Sequence, residues 1–102
     1  MTREEILSQA NKCVNGERDK QYGNPENNFS LIANLWNNYI YGSSSTVNRI
    51  GFALEAKDVA AMLALLKIAR IATGQPKPDN WIDLAGYAAC GGEIDSKKIP
   101  TK

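Results

Sequence analysis

Four carboxylates fall in two helix-spaced pairs. Glu55 and Asp58 are three residues apart and Asp79 and Asp83 are four apart. Either spacing puts both acids of a pair on one face of a helix. The Glu55/Asp58 face continues as Met62, Leu65 and Ala69, and the Asp79/Asp83 face continues as Tyr87. Two such pairs on adjacent helices can converge on a hard cation. Mg²⁺ takes oxygen ligands and usually shares them with substrate phosphates. Glu55, Asp58, Asp79 and Asp83 are therefore candidate metal ligands, with Asp58 and Asp83 the candidates for the catalytic centre. A second reading stands beside this one: acids in a first helical turn oppose the helix macrodipole, and Glu55, Asp58 and Asp79 all occupy such positions. Asp83 lies one turn into a stretch rich in Trp, Leu and Ala, where a lone acid needs a partner.

Cations that can meet phosphate are Lys67 and Arg70, three residues apart in an otherwise apolar run. They can clamp an anion, pair with Asp79 or Asp83, or extend their charged tips to solvent. The loop Arg18, Asp19, Lys20, Gln21, Tyr22, Gly23 mixes cations, a ring and a permissive glycine. Lys20 can hold a phosphate and Tyr22 a base; the same composition also suits an ordinary solvated turn. The chain has no histidine and two cysteines, Cys13 and Cys90, without a CxxC pair. That excludes His-based triads and the common zinc spacings, and neither thiol has an activating histidine. Trp36 and Trp81 read as core residues rather than stacking platforms.

Positioning these residues requires helices. Thr2 with Glu5 forms a capping box for a helix over about 3–15, with Gly16 at its end. Asn24–Pro25 opens a second helix ending near Gly42, with Phe29, Ile32, Ala33, Trp36, Tyr39 and Ile40 on one face. Residues 42–48 form a linker, and 49–54 fit an extended approach or a short helical turn. A third helix over about 55–73, roughly 28 Å long, is apolar on most sides and so should be central. A fourth starts near Asp79 and runs to about Gly92, with Trp81, Leu84, Ala85 and Ala88 as its apolar face and several small residues that allow close packing. Alternating strand patterns are absent. The expected fold is all-α, a compact bundle of about four helices over residues 1–95 with a short basic tail at 96–102.

The 102 residues carry a net charge of +1. That balance argues against a nucleic-acid binder, which needs a basic stripe, and leaves no recognition face for a helix-turn-helix reading. The longest apolar run, Val59–Leu66, is too short to span a bilayer, and MTREEILSQ has no signal-peptide core, so a soluble cytoplasmic protein with reduced thiols is expected. The second and fourth helices offer more apolar surface than one small bundle covers, which points to a homo-oligomer, a dimer in the simplest case.

The segments QYGNPENNF (21–29), DVAAMLALLKIARIATG (58–74) and PDNWIDLAGYAACGGE (78–93) resemble a small family of uncharacterised phage and prophage proteins. The likeness covers roughly residues 16–93, and DNW-x-D-x-AGYA is its most specific part. A more distant likeness is to the MazG-like all-α NTP pyrophosphatases, which bind Mg²⁺ between acidic motifs on neighbouring helices. Glu55 and Asp58 resemble the first motif, and Asp83 followed by LAGYA resembles the second. Asn80 stands where that motif has Glu, and Asp58 replaces a Glu. The resemblance implies Mg²⁺-dependent handling of a nucleoside triphosphate, with Asp58 and Asp83 on the metal, Glu55 and Asp79 as further ligands, and Lys67, Arg70 or Lys20 on phosphate. The alternative is a non-catalytic, oligomeric interaction module of phage origin.

Overall fold

The computed structural model describes residues 1–16, 24–43 and 53–97. Within them lie four α-helices: α1 (Arg3–Asn15), α2 (Pro25–Ser43), α3 (Ala56–Thr73) and α4 (Pro78–Ser96). Among the described residues the expectation of an all-helical bundle of about four helices holds. The loop carrying Lys20 and Tyr22, and most of the 42–54 linker, lie outside the described residues.

Local chemistry accounts for most helix ends. The Thr2 hydroxyl accepts from the Glu5 N–H at 3.1 Å, and the Glu5 carboxylate accepts from the Thr2 N–H at 3.1 Å, closing the expected capping box. Asn24 caps α2 by accepting from the Glu26 N–H at 2.7 Å, with Pro25 in the first helical position, where its missing donor is no loss. At the end of α3 the Gly74 N–H donates to the Arg70 carbonyl at 2.8 Å, and Pro76 and Pro78 prevent continuation. The fourth helix runs further than expected, to Ser96. Gly91 and Gly92 do not stop it because Ile94, one turn beyond, is buried in the core, and burial outweighs the roughly 1 kcal/mol per glycine that propensity alone would charge.

The helices assemble around an antiparallel α3–α4 hairpin. Among the described residues α1 packs on α4, α2 packs mainly on α3, and α1 and α2 do not pack on each other. The core joins Phe29 and Ala33 of α2, Ala56, Val59 and Ala60 of α3, and Cys90 and Ile94 of α4. Close approach is built in. A methyl at Gly91 would come within 3.0 Å of Ala60 Cβ, and one at Gly86 within 3.2 Å of Val14 on α1, so each glycine admits a neighbouring helix.

Three expected packing faces are corrected. Trp81 and Tyr39 are exposed, at 51% and 76%. α4 buries Asn80, Ile82, Gly86, Cys90 and Ile94, a stripe rotated from the expected Trp81/Ala85/Ala88 face because the small residues at 86 and 90 let neighbours in where the large ring at 81 would hold them off. α3 is not surrounded: Met62, Leu65, Leu66 and Ile68 are exposed, because α2 reaches only its N-terminal half.

Two predictions follow from this architecture. Val59 is fully buried, so Val59→Ala should lower unfolding free energy by about 2 kcal/mol, seen as an earlier urea midpoint with unchanged slope. The Glu5 carboxyl is held below its ordinary value of 4.5, first by the Thr2 backbone N–H and then by its side chain. A depressed folded value stabilises above the ordinary range and is lost as pH falls through the lowered value. The first turn of α1 should therefore fray at acid pH, with faster amide exchange at Thr2, and Glu5→Gln should remove that pH dependence.

Candidate functional site

The two acid pairs lie at opposite ends of the hairpin. Ala60 faces Gly91 and Lys67 faces Asp83, which sets the antiparallel register. Asp58 precedes Lys67 by nine residues on the same helix, so the Asp58 and Asp83 backbones are separated by roughly 13 Å along the axis. One ion cannot bridge that span through two short side chains. Among the described residues no group of three or more Asp, Glu, Cys or His is placed to hold a metal ion. The expected convergence of Glu55, Asp58, Asp79 and Asp83 on one Mg²⁺ is not found among the described residues.

Each end has its own arrangement. At the turn end, Lys67 Nζ meets Asp83 Oδ2 at 2.9 Å, with side chains 12% and 25% exposed. This answers the need of a lone acid on an apolar helix: the pair is mostly desolvated, and each charge is tolerated because the other is there. Lys67 is thereby committed to Asp83. Asp79 is exposed in the first turn of α4, where it opposes the helix dipole. Arg70 is exposed on α3.

At the other end, Glu55 and Asp58 form a capping box at the start of α3. The Glu55 N–H donates to Asp58 Oδ2 at 2.8 Å, and Lys57 Nζ lies 3.4 Å from Asp58 Oδ1. The chain entering this turn is clamped by Asn37 of α2, whose side-chain amide donates to the Leu54 carbonyl at 3.0 Å and accepts from the Leu54 N–H at 2.8 Å. Beside the clamp is an open groove of about 270 Å³, lined among others by Glu26, Ser30 and Asn34 of α2, Glu55, Lys57 and Ile94. Lys97 bridges to Glu26 at 2.6 Å, and the Glu26 hydrogen bond and charge hold Lys97 above its ordinary value.

The groove was not anticipated from the residue pattern. Its signal was Glu26, Ser30 and Asn34, a polar row at i, i+4, i+8 along a helix whose other faces are apolar or asparagine-rich. Asn37 had no readable signal, because its partner is a backbone segment seventeen residues away.

These features define a small helical module with an open groove of mixed polar and apolar lining at one end of a hairpin and a largely desolvated ion pair at the other. The chain belongs to the family described as a domain of unknown function, DUF6378, whose profile matches residues 5–95. It is 38% identical over 87 residues to the Gene 55 protein of Mycobacterium phage D29, covering 85% of this chain and 51% of that protein. It is 36% identical over 95 residues to the Gene 55 protein of Mycobacterium phage L5, covering 93% and 53%. The chain thus spans about half the length of the curated relatives it matches. No solved structure matches it. The kinship with phage proteins read from the sequence is shown. Among the described residues no helix is long and apolar enough to cross a membrane.

The ion pair generates a double-variant prediction. Asp83→Ala and Lys67→Met should each destabilise by about 1–3 kcal/mol, since each leaves a half-buried charge unpaired. The double variant should lose less than the sum in chemical denaturation. Strict additivity would show that the two charges do not stabilise one another.

Proposed function

We propose that this domain is a non-catalytic interaction module that works by docking the outward face of α3. The observation that supports this is the composition of that face. Ala61, Met62, Leu65, Leu66, Ile68, Ala69 and Ala72 are largely exposed. Along Val59–Thr73 the only charges are Lys67, turned toward Asp83, and Arg70. A contiguous apolar strip of this extent matches the largest patch of an ordinary monomeric protein, and such a patch often marks an interaction surface or a ligand groove. The strip is convex, on the outside of a helix, which suits a protein surface rather than a small molecule.

The test is Leu65→Lys, alone and with Met62→Lys. Both side chains are exposed, at 62% and 42%, so the substitutions should leave helicity and the urea midpoint nearly unchanged. Binding of an apolar reporter dye such as ANS should fall several-fold. Undiminished dye binding would show that the strip is not the sticky surface.

The groove favours a second reading, nucleotide handling. Lys57 would face phosphate, and Mg²⁺ would enter with the nucleotide's own phosphates. This reading expects binding heat when dNTP and Mg²⁺ are titrated into the wild type, and its loss in Lys57→Met. Flat titrations across the dNTPs would remove it.

A further inference from the structure

Resting on the interaction-module reading, we infer that the partner of the α3 face is a second copy of this chain, crossing antiparallel about a two-fold axis near Leu65. Three observations carry this. The first is spacing. Met62, Leu65, Ala69 and Ala72 stand at intervals of three, four and three residues, the seam pattern with which one helix packs along another. Large side chains flank the centre and alanines occupy the far end, so two copies reversed about Leu65 place bulk against bulk in the middle and taper outward.

The second is charge. The N-terminal end of α3 carries Glu55 and Asp58 against one cation, Lys57, and so keeps a net negative charge, while the C-terminal end carries Arg70. Antiparallel pairing sets the acidic end of each copy beside the Arg70 end of the other and opposes the two helix dipoles. Parallel pairing would set acid against acid and Arg70 against Arg70. Between the ends the strip carries no charge, so self-association buries no unpaired ion.

The third is area. Met62, Leu65, Leu66 and Ile68, between 42% and 62% exposed, together with the alanines beside them, present on the order of 500 Å² per copy. Two copies then bury at most about 1,000 Å², at or below the lower bound of a specific interface and in the range of reversible association. A micromolar dimer is the expected result, in place of an obligate one.

The experiment is analytical ultracentrifugation of the full chain and of Leu65→Lys across micromolar concentrations, with single-cysteine additions Leu65→Cys and Ala72→Cys treated with a short bis-maleimide. Background from Cys13 and Cys90 is read on the wild type. The wild type should dimerise, and Leu65→Lys should weaken association roughly tenfold or more at unchanged helicity. Leu65→Cys should cross-link into dimers and Ala72→Cys should not, because the two-fold separates the copies of residue 72 by about 21 Å along the axis. Equal cross-linking at both positions would overturn the antiparallel arrangement. A wild type that stays monomeric would overturn the second copy as partner. If that monomer still loses dye binding on Leu65→Lys, the interaction surface stands and only its occupant was misassigned; if it does not, both fall.

Discussion

Lys67 and Asp83 meet across the α3–α4 hairpin in a setting where neither charge is well hydrated, and much of the molecule's organisation depends on that contact. It fixes the register of the two longest-packed helices near the turn, as the Ala60–Gly91 approach fixes it near the open end. A hairpin pinned at both ends leaves no freedom for α4 to rotate. Its buried stripe is therefore set by which side chains are small enough to admit α1 and α3, and Trp81 is left outside. The pair also accounts for the one lysine in the apolar centre of α3. Its side chain is largely covered, and its tip finds a carboxylate in place of bulk water.

The same register separates the two acid pairs and decides what each can do. A hairpin of antiparallel helices puts the N-terminal turn of one beside the C-terminal turn of the other. Acids that begin two successive helices therefore cannot meet unless a loop carries one of them back. Glu55 and Asp58 are spent on α3's own backbone and on Lys57, and Asp83 on Lys67. Residue types at i, i+3 and i, i+4 spacing look the same whether they cap, pair or coordinate. What separates these roles is what lies opposite, and that is a property of the register.

Much of the fold could be read from the chain because its helix ends are set by local chemistry. The Thr2–Glu5 box, the Asn24 cap and the Gly74 stop involve residues within four positions of each other. What could not be read depends on distant partners. Periodicity showed that α3 is apolar on most sides, and centrality was the natural inference. The inference fails because α2 reaches only the N-terminal half, where Phe29 and Ala33 meet Ala56, Val59 and Ala60. The groove beside the Asn37–Leu54 clamp was hidden for the same reason: its walls come from both sides of a long connection, and a side-chain amide gripping one backbone unit leaves no pattern in composition.

An apolar helix with only half its circumference covered leaves two physical outcomes. Either the exposed strip is a cost borne by the isolated domain, or it is stabilised by contact with something else. The first is hard to reconcile with how sparingly this chain uses large residues elsewhere. Its buried residues include only Phe29, Val59, Ile82 and Ile94 as larger hydrophobic side chains, beside several alanines and Cys90, and Val59 is the largest side chain fully buried among the described residues. A domain that leaves Met62, Leu65, Leu66 and Ile68 outside, about as many large apolar side chains as it buries in Phe29, Val59, Ile82 and Ile94, puts a sizeable share of its hydrophobic driving force at the surface. Transfer free energy scales with the apolar area removed from water. Covering that strip therefore adds stability of the same kind, and on a comparable scale, as the intramolecular core supplies. Association and folding stability would then be linked, as in small domains whose cores are completed from outside.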